Sequence, residues 1–150
     1  MKDQKQLEGP LPVDQQICFA IYGAAHAFNR AYKPLLEPLG LTYPQYLVMM
    51  ALWEQDQLTV KALGEKLGLD SGTLSPLLKR LEAAGSITRQ RDPDDERQVL
   101  ISLTEDGAAL KRQALGIQMS IGAATGCTWA DLKDLRDRVN ALKAQLDKVG

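Results

Sequence analysis

The fold of this chain is decided by residues 59–103, TVKALGEKLGLDSGTLSPLLKRLEAAGSITRQRDPDDERQVLISL. Within this stretch, residues 59–67 predict a short helix that stops at Gly68, and residues 71–84 predict a second helix that ends at Gly85. Two helices joined by a short turn containing glycine form the helix-turn-helix unit, whose second helix enters the major groove of DNA. We therefore predict this unit here.

A β-hairpin is predicted directly after the two helices. Residues 86–91 and 98–103 are rich in β-forming side chains, and the apolar residues of the second run alternate onto one face. Between them, the segment Asp-Pro-Asp-Asp-Glu-Arg at 92–97 has the composition of a turn. Because so short a strand pair is unstable alone, it should pack on the helices as a wing. The predicted fold class is mainly α with a small β-hairpin wing, a winged helix-turn-helix.

Composition limits the possible function classes. The 150 residues fit one domain, and 18 basic side chains face 19 acidic ones. Since no global positive field attracts nucleic acid, the DNA prediction depends on where individual side chains lie. A winged helix that binds a protein instead of DNA is the alternative reading. The predicted DNA contacts are Ser71, Thr73, Ser75, Lys79 and Arg80 in the second helix, and Arg89, Arg91 and Arg97 in the wing.

Three further features of this region give local expectations. Asp70 should cap the second helix, and Pro76 should distort the first turn or two of that helix. Arg97 ends the wing turn and can reach a narrow minor groove. Asp95 could instead pair with Arg97 or Arg89 and hold the loop. Both arrangements are compatible if Asp95 orients the arginine of the wing tip.

Helices are also predicted on both sides of the winged region. Residues 14–36 should be helical, broken up near the end by Pro34 and Pro38, and their middle is apolar nearly all round. Such a helix in a small domain usually lies in an intersubunit core. A capping box at 42–45 opens the next helix, which runs to about residue 53.

The C-terminal part of the chain predicts two more helices. Residues 104–124 should form a long helix interrupted by Gly116 and Gly122, and Thr128 should cap the last helix. Apolar residues in the last helix repeat at alternating steps of three and four, the pattern of a helix packed lengthwise on another. The seam could pack within the monomer, but because it belongs to a terminal helix beyond a complete winged domain, we expect it to dimerise. It consists of Leu132, Leu135, Val139, Leu142, Leu146 and Val149.

The cysteine content and the N-terminus narrow the cellular context. Residues 1–6 are polar and lack an apolar signal core, and no apolar run is long enough to span a membrane, so we expect a cytoplasmic protein. In that compartment two cysteines are not a structural disulfide framework. With one histidine they are too few for a zinc site, so no metal or other cofactor is predicted.

The first cysteine has a setting that suggests redox chemistry. Cys18 is predicted about one turn into the first helix, where the helix dipole favours a thiolate that a peroxide could oxidise. Tyr22 follows one turn later, whereas Tyr32 and Tyr43 flank the predicted helix break and could fold back or reach across a dimer. Phenol hydroxyls around a sulfur can stabilise its anion. The alternative is a cysteine that serves as a small inert hydrophobe.

Several segments together resemble one family. The chain resembles the organic-hydroperoxide-regulator branch of the MarR family from about residue 15 into the final helix. The tyrosines at positions 22, 32 and 43, together with Cys18, select this branch among MarR proteins. The matching segments are CFAIY at 18–22, YKPLL at 32–36, LTYPQY at 41–46, LDSGTLSPLLKR at 69–80 and DDER at 94–97.

The resemblance implies a single MarR-type domain over residues 1–150. Its dimerisation helices would be 14–36 and 104–150, and its DNA-binding region 42–103. It implies a homodimeric repressor, not an enzyme, that binds a palindromic double-stranded operator when reduced and leaves it when an organic hydroperoxide oxidises Cys18. In that branch the matching tyrosines surround the reactive sulfur, and a second cysteine, here Cys127, resolves it as an intersubunit disulfide.

The mechanism expected from this resemblance begins with entry of the hydroperoxide into an apolar pocket, lined by residues such as Ile17, Phe19, Ile21 and Phe28. Two other functions remain open at this point. One is a MarR-type repressor induced by a small apolar or phenolic ligand, with unreactive cysteines. The other is a thiol peroxidase, although no cluster of bases or cations surrounds Cys18, and His26 is too isolated for catalysis.

Overall fold

A computed structural model of the protein describes residues 8–150. Residues 1–7, which include the polar terminus from which we predict no signal segment, lie outside the described part. The helices are α1 (Ile17–Leu36), α2 (Tyr43–Glu54), α3 (Val60–Leu67), α4 (Ser71–Ala83), α5 (Glu105–Ala109), α6 (Ala114–Thr125) and α7 (Trp129–Asp147). The strands are β1 (Leu58–Thr59), β2 (Ile87–Arg91) and β3 (Val99–Leu103), and 3-10 turns occupy Val13–Gln15, Glu37–Leu39 and Leu110–Gln113.

The predicted helix-turn-helix is present as α3 and α4. Gly68 ends α3 with a φ of 68°, and the Asp70 side chain accepts a hydrogen bond of 2.7 Å from the Thr73 N–H at the start of α4. α4 continues through Pro76 without interruption, so this proline does not break the helix. Packing explains this result: Leu74 and Leu78 are almost completely buried on either side and hold the helix in place.

The wing is the predicted hairpin with one additional strand. β2 and β3 pair antiparallel from Ile87 opposite Leu103 to Arg91 opposite Val99. β1 joins the other edge of β3, so the sheet order is β1-β3-β2. Two residues of strand carry too short a pattern to be read from sequence. This strand fixes the start of α3 against the wing.

The terminal helices differ in detail from the sequence expectations. α1 starts at Ile17 after a 3-10 turn and continues through Pro34 to Leu36, so Pro34 does not break it. After the wing, the irregularity lies at the 3-10 turn Leu110–Gln113 and not at Gly116 or Gly122. Gly122 has a packing role instead, because a side chain there would collide with the indole of Trp129.

The apolar faces of α1 and α7 are largely exposed in the single chain. Leu36 is the one buried residue of α1, and the described α7 has none. In the predicted seam Leu132 and Leu142 are half-buried, whereas Leu135, Val139 and Leu146 are exposed, and Val149 lies beyond the end of α7. Within residues 8–150, none of the helices is both long and apolar enough to cross a membrane.

Candidate functional site

The outer face of α4 is polar and free of the core. Three of its leucines, Leu74, Leu78 and Leu81, point into the core and are at most 1% exposed. The five residues of α4 that were predicted to contact DNA are all exposed: Ser71, Thr73, Ser75, Lys79 and Arg80. Since hydroxyl and cationic side chains suit both base edges and phosphates, this face can read a DNA groove.

The wing arginines are not equally available. Arg89 is held by an ion pair of 3.1 Å between its guanidinium and the Glu82 carboxylate, which ties β2 to α4. Arg91 donates a hydrogen bond of 2.8 Å to the backbone carbonyl of Glu96 and braces the wing loop. Arg97 pairs with Asp95 at 3.1 Å but keeps 90% of its side chain exposed. Asp95 therefore pairs with Arg97 and not with Arg89, and Arg97 remains the wing residue best placed to reach outward.

Cys18 lies closer to the start of α1 than predicted. It is the second residue of the helix, within the first turn, and its thiol is free and exposed. Tyr22, one turn later, is 63% exposed, and its ring packs edge-on against His26 with centroids 4.5 Å apart. The apolar residues expected to line a pocket, Ile17, Phe19, Ile21 and Phe28, are exposed on this helix in the single chain.

Tyr32 and Tyr43 come together, but far from Cys18 of the same chain. Their ring centroids are 4.7 Å apart. Because α1 runs without interruption, a rise of 1.5 Å per residue puts the Cα atoms of Cys18 and Tyr32 about 21 Å apart. The tyrosines therefore do not fold back onto the cysteine, and only the expectation that they reach across a dimer remains.

The paired tyrosines are neutral hydrogen-bond donors at physiological pH. Burial, and to a lesser extent the neighbouring Tyr43 and Tyr46, raise the pKa of Tyr32 to about 12. Burial also raises the pKa of Tyr43, and burial followed by Tyr43 raises the pKa of Tyr46. Each phenol keeps its proton, so each hydroxyl can donate to a sulfur anion or a peroxide oxygen.

Two aromatic residues that the sequence analysis did not single out extend this pair. Tyr46 lies 6.0 Å from Tyr32 and 5.9 Å from Trp53, measured between ring centroids. The Trp53 indole N–H donates a hydrogen bond of 2.9 Å to the backbone carbonyl of Gly107 in α5. The sequence signal that could have identified Tyr46 and Trp53 is their helical spacing from Tyr43, which puts all three on one face of α2. Ordinary core residues have the same spacing, so this signal is not specific.

Cys127 occupies the turn between α6 and α7. Gly126 enters this turn with a φ of 70°, and the Cys127 N–H donates to the Thr125 hydroxyl at 3.2 Å. Thr128 then starts α7 with a capping box. The thiol is free and exposed, so it can meet an external sulfur. Over residues 8–150, no group of histidine, cysteine and carboxylate side chains could hold a metal ion.

Comparisons with known proteins identify the family to which this chain belongs. Residues 30–114 match the family model described as transcriptional regulator SarA/Rot. The chain is 49% identical over 132 residues to the organic hydroperoxide resistance transcriptional regulator of Bacillus subtilis, covering 88% of this chain and 90% of the relative. It is 50% identical over 139 residues to the regulator TtmR of Methylorubrum extorquens, covering 93% of this chain and 71% of the relative.

Solved structures of one regulator, AbfR of Staphylococcus epidermidis, are similar over nearly the whole chain. Reduced AbfR bound to DNA aligns with a TM-score of 0.76 and 32% identity over 99% of both chains. The disulfide form of AbfR aligns with a TM-score of 0.63 and 33% identity, over 94% of this chain and 96% of that one. The chain belongs to the MarR family of transcriptional regulators, in its organic-hydroperoxide-sensing branch, and is a DNA-binding regulator and not an enzyme.

Proposed function

We propose that this regulator is a homodimeric repressor that binds a palindromic operator when reduced and releases it when an organic hydroperoxide oxidises Cys18. The observation that carries the proposal is the separation within one chain. Cys18 is exposed at one end of α1, and the Tyr32–Tyr43 pair lies about 21 Å away at the other end. In a dimer with antiparallel α1 helices, each sulfur meets the tyrosines of the partner subunit.

A second copy also accounts for the exposed apolar surface of the terminal helices. Ile17, Phe19 and Phe28 on α1, and Leu135 and Leu146 on α7, are each at least 42% exposed in the single chain. Large apolar side chains grouped on two helices are typical of a protein interface. Pairing these helices between subunits would bury them and would place two copies of α4 for major-groove sites ~34 Å apart.

The proposed chemistry is a two-electron oxidation. The Cys18 sulfur attacks the terminal oxygen of the hydroperoxide, the O–O bond breaks, and the products are a sulfenic acid and an alcohol. The thiol of the partner's Cys127 then attacks the sulfenic sulfur, which forms the S–S bond and releases water. Hydroxyls of Tyr32 and Tyr43 are neutral donors and would orient the peroxide and the sulfur for the first step.

Disulfide formation would then move the DNA-binding helices. A disulfide needs its two Cα atoms within ~7 Å of each other. Cys18 lies in the first turn of α1 and Cys127 in the turn before α7, so closing the bond would pull on both dimerisation helices. Because the winged regions are attached to these helices, that movement would break their match to half-sites one DNA turn apart.

The first test is DNA binding through a redox cycle. Reduced protein is bound to a labelled palindromic fragment from beside its own gene, then treated with cumene hydroperoxide, then with dithiothreitol. We expect release by peroxide and recovery by dithiothreitol. Cys18→Ser should stay bound throughout. Release of Cys18→Ser by peroxide would contradict the proposal.

A mixing experiment tests the intersubunit disulfide. Cys18→Ser chains and Cys127→Ser chains should each give no cross-link alone after peroxide treatment. Mixed dimers of the two retain one Cys18 and one Cys127 on different subunits, so they should give a covalent dimer on a non-reducing gel. A covalent dimer from Cys127→Ser alone, or none from the mixture, would contradict the intersubunit pairing.

One observation supports a second candidate, induction by a small ligand. A cleft of about 320 Å³ lies between α1 and the start of α2, and its lining includes Asn29, Lys33 and Tyr43. Lys33 and the Tyr43 phenol beside apolar surface could hold an aromatic acid, with the Glu37 carboxylate of the same lining opposing its charge. If this were the inducer site, Cys18→Ser would leave induction intact, and the acid alone would release DNA from reduced protein.

A further inference from the structure

One face of α2 connects the tyrosine pair to the opposite end of the helix. Tyr43, Tyr46 and Trp53 lie at steps of three and seven residues, which keeps them on one side of an α-helix. Tyr43 is in the first turn and contacts Tyr32, whereas Trp53 is in the last turn. At 1.5 Å per residue, the Cα atoms of Tyr43 and Trp53 are about 15 Å apart.

The aromatic rings along this face are in contact and tightly held. Tyr46 is 2% exposed and packs against Tyr32 on one side and edge-on against Trp53 on the other. Met49 and Leu52, which are at most 1% exposed, fix the same helix in the core. Because a close-packed interior transmits displacement instead of absorbing it, a shift of Tyr32 reaches Trp53.

Trp53, at the end of α2 far from Tyr43, is hydrogen-bonded to the base of the wing. Trp53 donates to the Gly107 carbonyl at 2.9 Å. Gly107 itself lies directly against the backbone of Ser86, so that a side chain at position 107 would overlap the Ser86 carbonyl. Glycine is therefore required here for close approach of two backbone segments.

Ser86 is the residue that joins the DNA-reading helix to the wing. Its N–H donates to the Leu81 carbonyl near the end of α4 at 3.0 Å, and its carbonyl accepts from the Thr104 N–H at 3.1 Å. The Thr104 hydroxyl donates to the Gly85 carbonyl at 2.6 Å and accepts from the Gly107 N–H at 3.0 Å. The end of α4, the first wing strand and the start of α5 thus move with Gly107.

We propose that Tyr46 and Trp53 are positioning residues that couple the Tyr32–Tyr43 pair to the base of the wing through the Gly107 carbonyl. The inference rests on the proposed function, in which Tyr32 and Tyr43 contact the sensing sulfur. Oxidation of that sulfur displaces Tyr32, and the row Tyr32–Tyr46–Trp53 carries the displacement to the junction of α4 and β2. The reactivity of Cys18 does not depend on Tyr46 or Trp53, but the response of the DNA-binding surface does.

The test measures oxidation of Cys18 and release of DNA separately in a Trp53→Phe protein. This variant keeps an aromatic ring at position 53 but loses the N–H donor. We expect the Cys18 thiol to be consumed by cumene hydroperoxide at a rate within about twofold of wild type. The loss of DNA affinity on oxidation should be about three- to tenfold smaller than in wild type, the size of one neutral hydrogen bond. Tyr46→Leu, which interrupts the row in its middle, should show the same uncoupling.

Val48→Ala is the matched control. Val48 is fully buried in α2 but is not part of the aromatic row, so its truncation destabilises the helix without touching the connection. We expect it to release DNA as wild type does. The inference would be overturned if oxidation released DNA from both Trp53→Phe and Tyr46→Leu to the wild-type extent. It would also be overturned if Val48→Ala showed as large a defect in DNA release as those two variants. Wild-type protein that stays on DNA after oxidation would instead overturn the proposed function, and this inference with it.

A spectroscopic measurement on the unsubstituted sequence covers the case in which the variants do not fold. The chain has two tryptophans, so protein labelled with 5-fluorotryptophan gives two fluorine resonances, and Trp129→Phe assigns them. The Trp53 resonance should shift when Cys18 is oxidised, because its hydrogen bond to Gly107 is strained or broken. An unmoved Trp53 resonance in oxidised protein would overturn the inference.

Discussion

The winged region and the terminal helices both contain many large apolar side chains, but these are buried in the winged region and exposed on the terminal helices. In the winged region Leu63, Leu74 and Ile101 are completely buried within one chain. On the terminal helices Ile17 and Leu146 are more than 60% exposed. The difference teaches that the DNA-binding half completes its core alone, whereas the sensing half presents apolar surface that a second copy would have to cover.

The largest expected effect comes from a pair of leucine truncations, one in each region. Leu63→Ala removes a side chain with no exposed surface, so it should lower the free energy of unfolding by ~2–5 kcal/mol at any protein concentration. Leu135→Ala, at a site 54% exposed in the single chain, should cost little in a monomer but weaken the dimer. Denaturant unfolding at two protein concentrations measures both.

The comparison would be contradicted if Leu135→Ala lowered the free energy of unfolding as much as Leu63→Ala does, and by the same amount at every protein concentration. It would mean that α7 packs on its own chain in solution. A loss at Leu135 that grows with dilution would confirm that the terminal helices are completed between chains.

The tyrosine pair at the junction of the two regions should make the fold sensitive to alkali. The folded pKa of Tyr32 is about 12, above the ordinary value of 10.0, so its contribution to stability is complete below pH 10 and is lost as pH rises toward 12. Tyr32→Phe should flatten the decline of stability in this window. The ultraviolet absorbance of tyrosinate gives the titration, and unfolding at several alkaline pH values gives the stability.

If Tyr32→Phe protein lost stability over this pH window as steeply as wild type, another group would be responsible. Tyr43→Phe is the companion variant. Because a charged Tyr43 contributes to the raised pKa of Tyr32, its removal should bring the Tyr32 titration to lower pH.

Two threonine caps offer a smaller, matched comparison. Thr42 caps α2 and Thr128 caps α7, each in a capping box with the residue three positions later. Substitution of either by alanine should cost ~1 kcal/mol, because first-turn N–H groups lose their acceptor. In α2 the loss should appear in global unfolding, whereas in α7 it should appear as local fraying next to Cys127, measured by amide hydrogen exchange.

Serine at either position keeps the hydroxyl and is the control that should behave as wild type. A global loss from Thr128→Ala equal to that from Thr42→Ala would indicate that α7 unfolds together with the winged region. That outcome would weaken the distinction between the two halves.

The smallest expected effect concerns two exposed carboxylates. Hydrogen bonds from the Thr73 backbone and side chain lower the pKa of Asp70, and hydrogen bonds from Lys133 and then Arg136 lower the pKa of Asp137. Each contribution to stability is present above the ordinary pKa of 3.8 and is lost as pH falls through the lowered value. Carboxyl carbon NMR titrations with and without added salt measure both.

Salt distinguishes the two carboxylates because their partners differ. Lys133 and Arg136 are exposed cations that salt screens, so the pKa of Asp137 should rise toward 3.8 in high salt. Asp70 is held by helix N–H groups, so its pKa should change much less. Equal shifts in both would contradict this assignment of causes.

The sequence predicted the winged helix well because its signals are local. Asp70 as an N-cap and Gly68 as the end of α3 each act within one turn, and the structure shows both as expected. α4 continues through Pro76, because the energy of burying the leucines around it outweighs one missing hydrogen bond. β1 was missed because two residues carry no periodicity.

The sequence identified the residues of the candidate site but not which of them lie close together. Cys18, Tyr32 and Tyr43 form one motif in the sequence, yet a straight α1 separates the cysteine from the tyrosines by its own length. The sequence did not indicate that Arg89 pairs with Glu82, which lies seven residues earlier near the end of α4. The links from Trp53 to Gly107 and from Gly107 to Ser86 join residues far apart in the chain, and no local pattern reports such contacts.

The acidic wing has a consequence for how this regulator searches a genome. Residues 91–97 carry four carboxylates and two arginines, and both arginines already have partners within the wing. Non-specific affinity for DNA comes from cations that a protein displaces from phosphates, at ~0.9 ions per neutralised phosphate. A wing that displaces few cations adds little to that affinity, so little of the protein is sequestered on unrelated DNA. Under the proposed function, the operator would then be selected chiefly by the fit of α4, the property that a movement of the dimer would change.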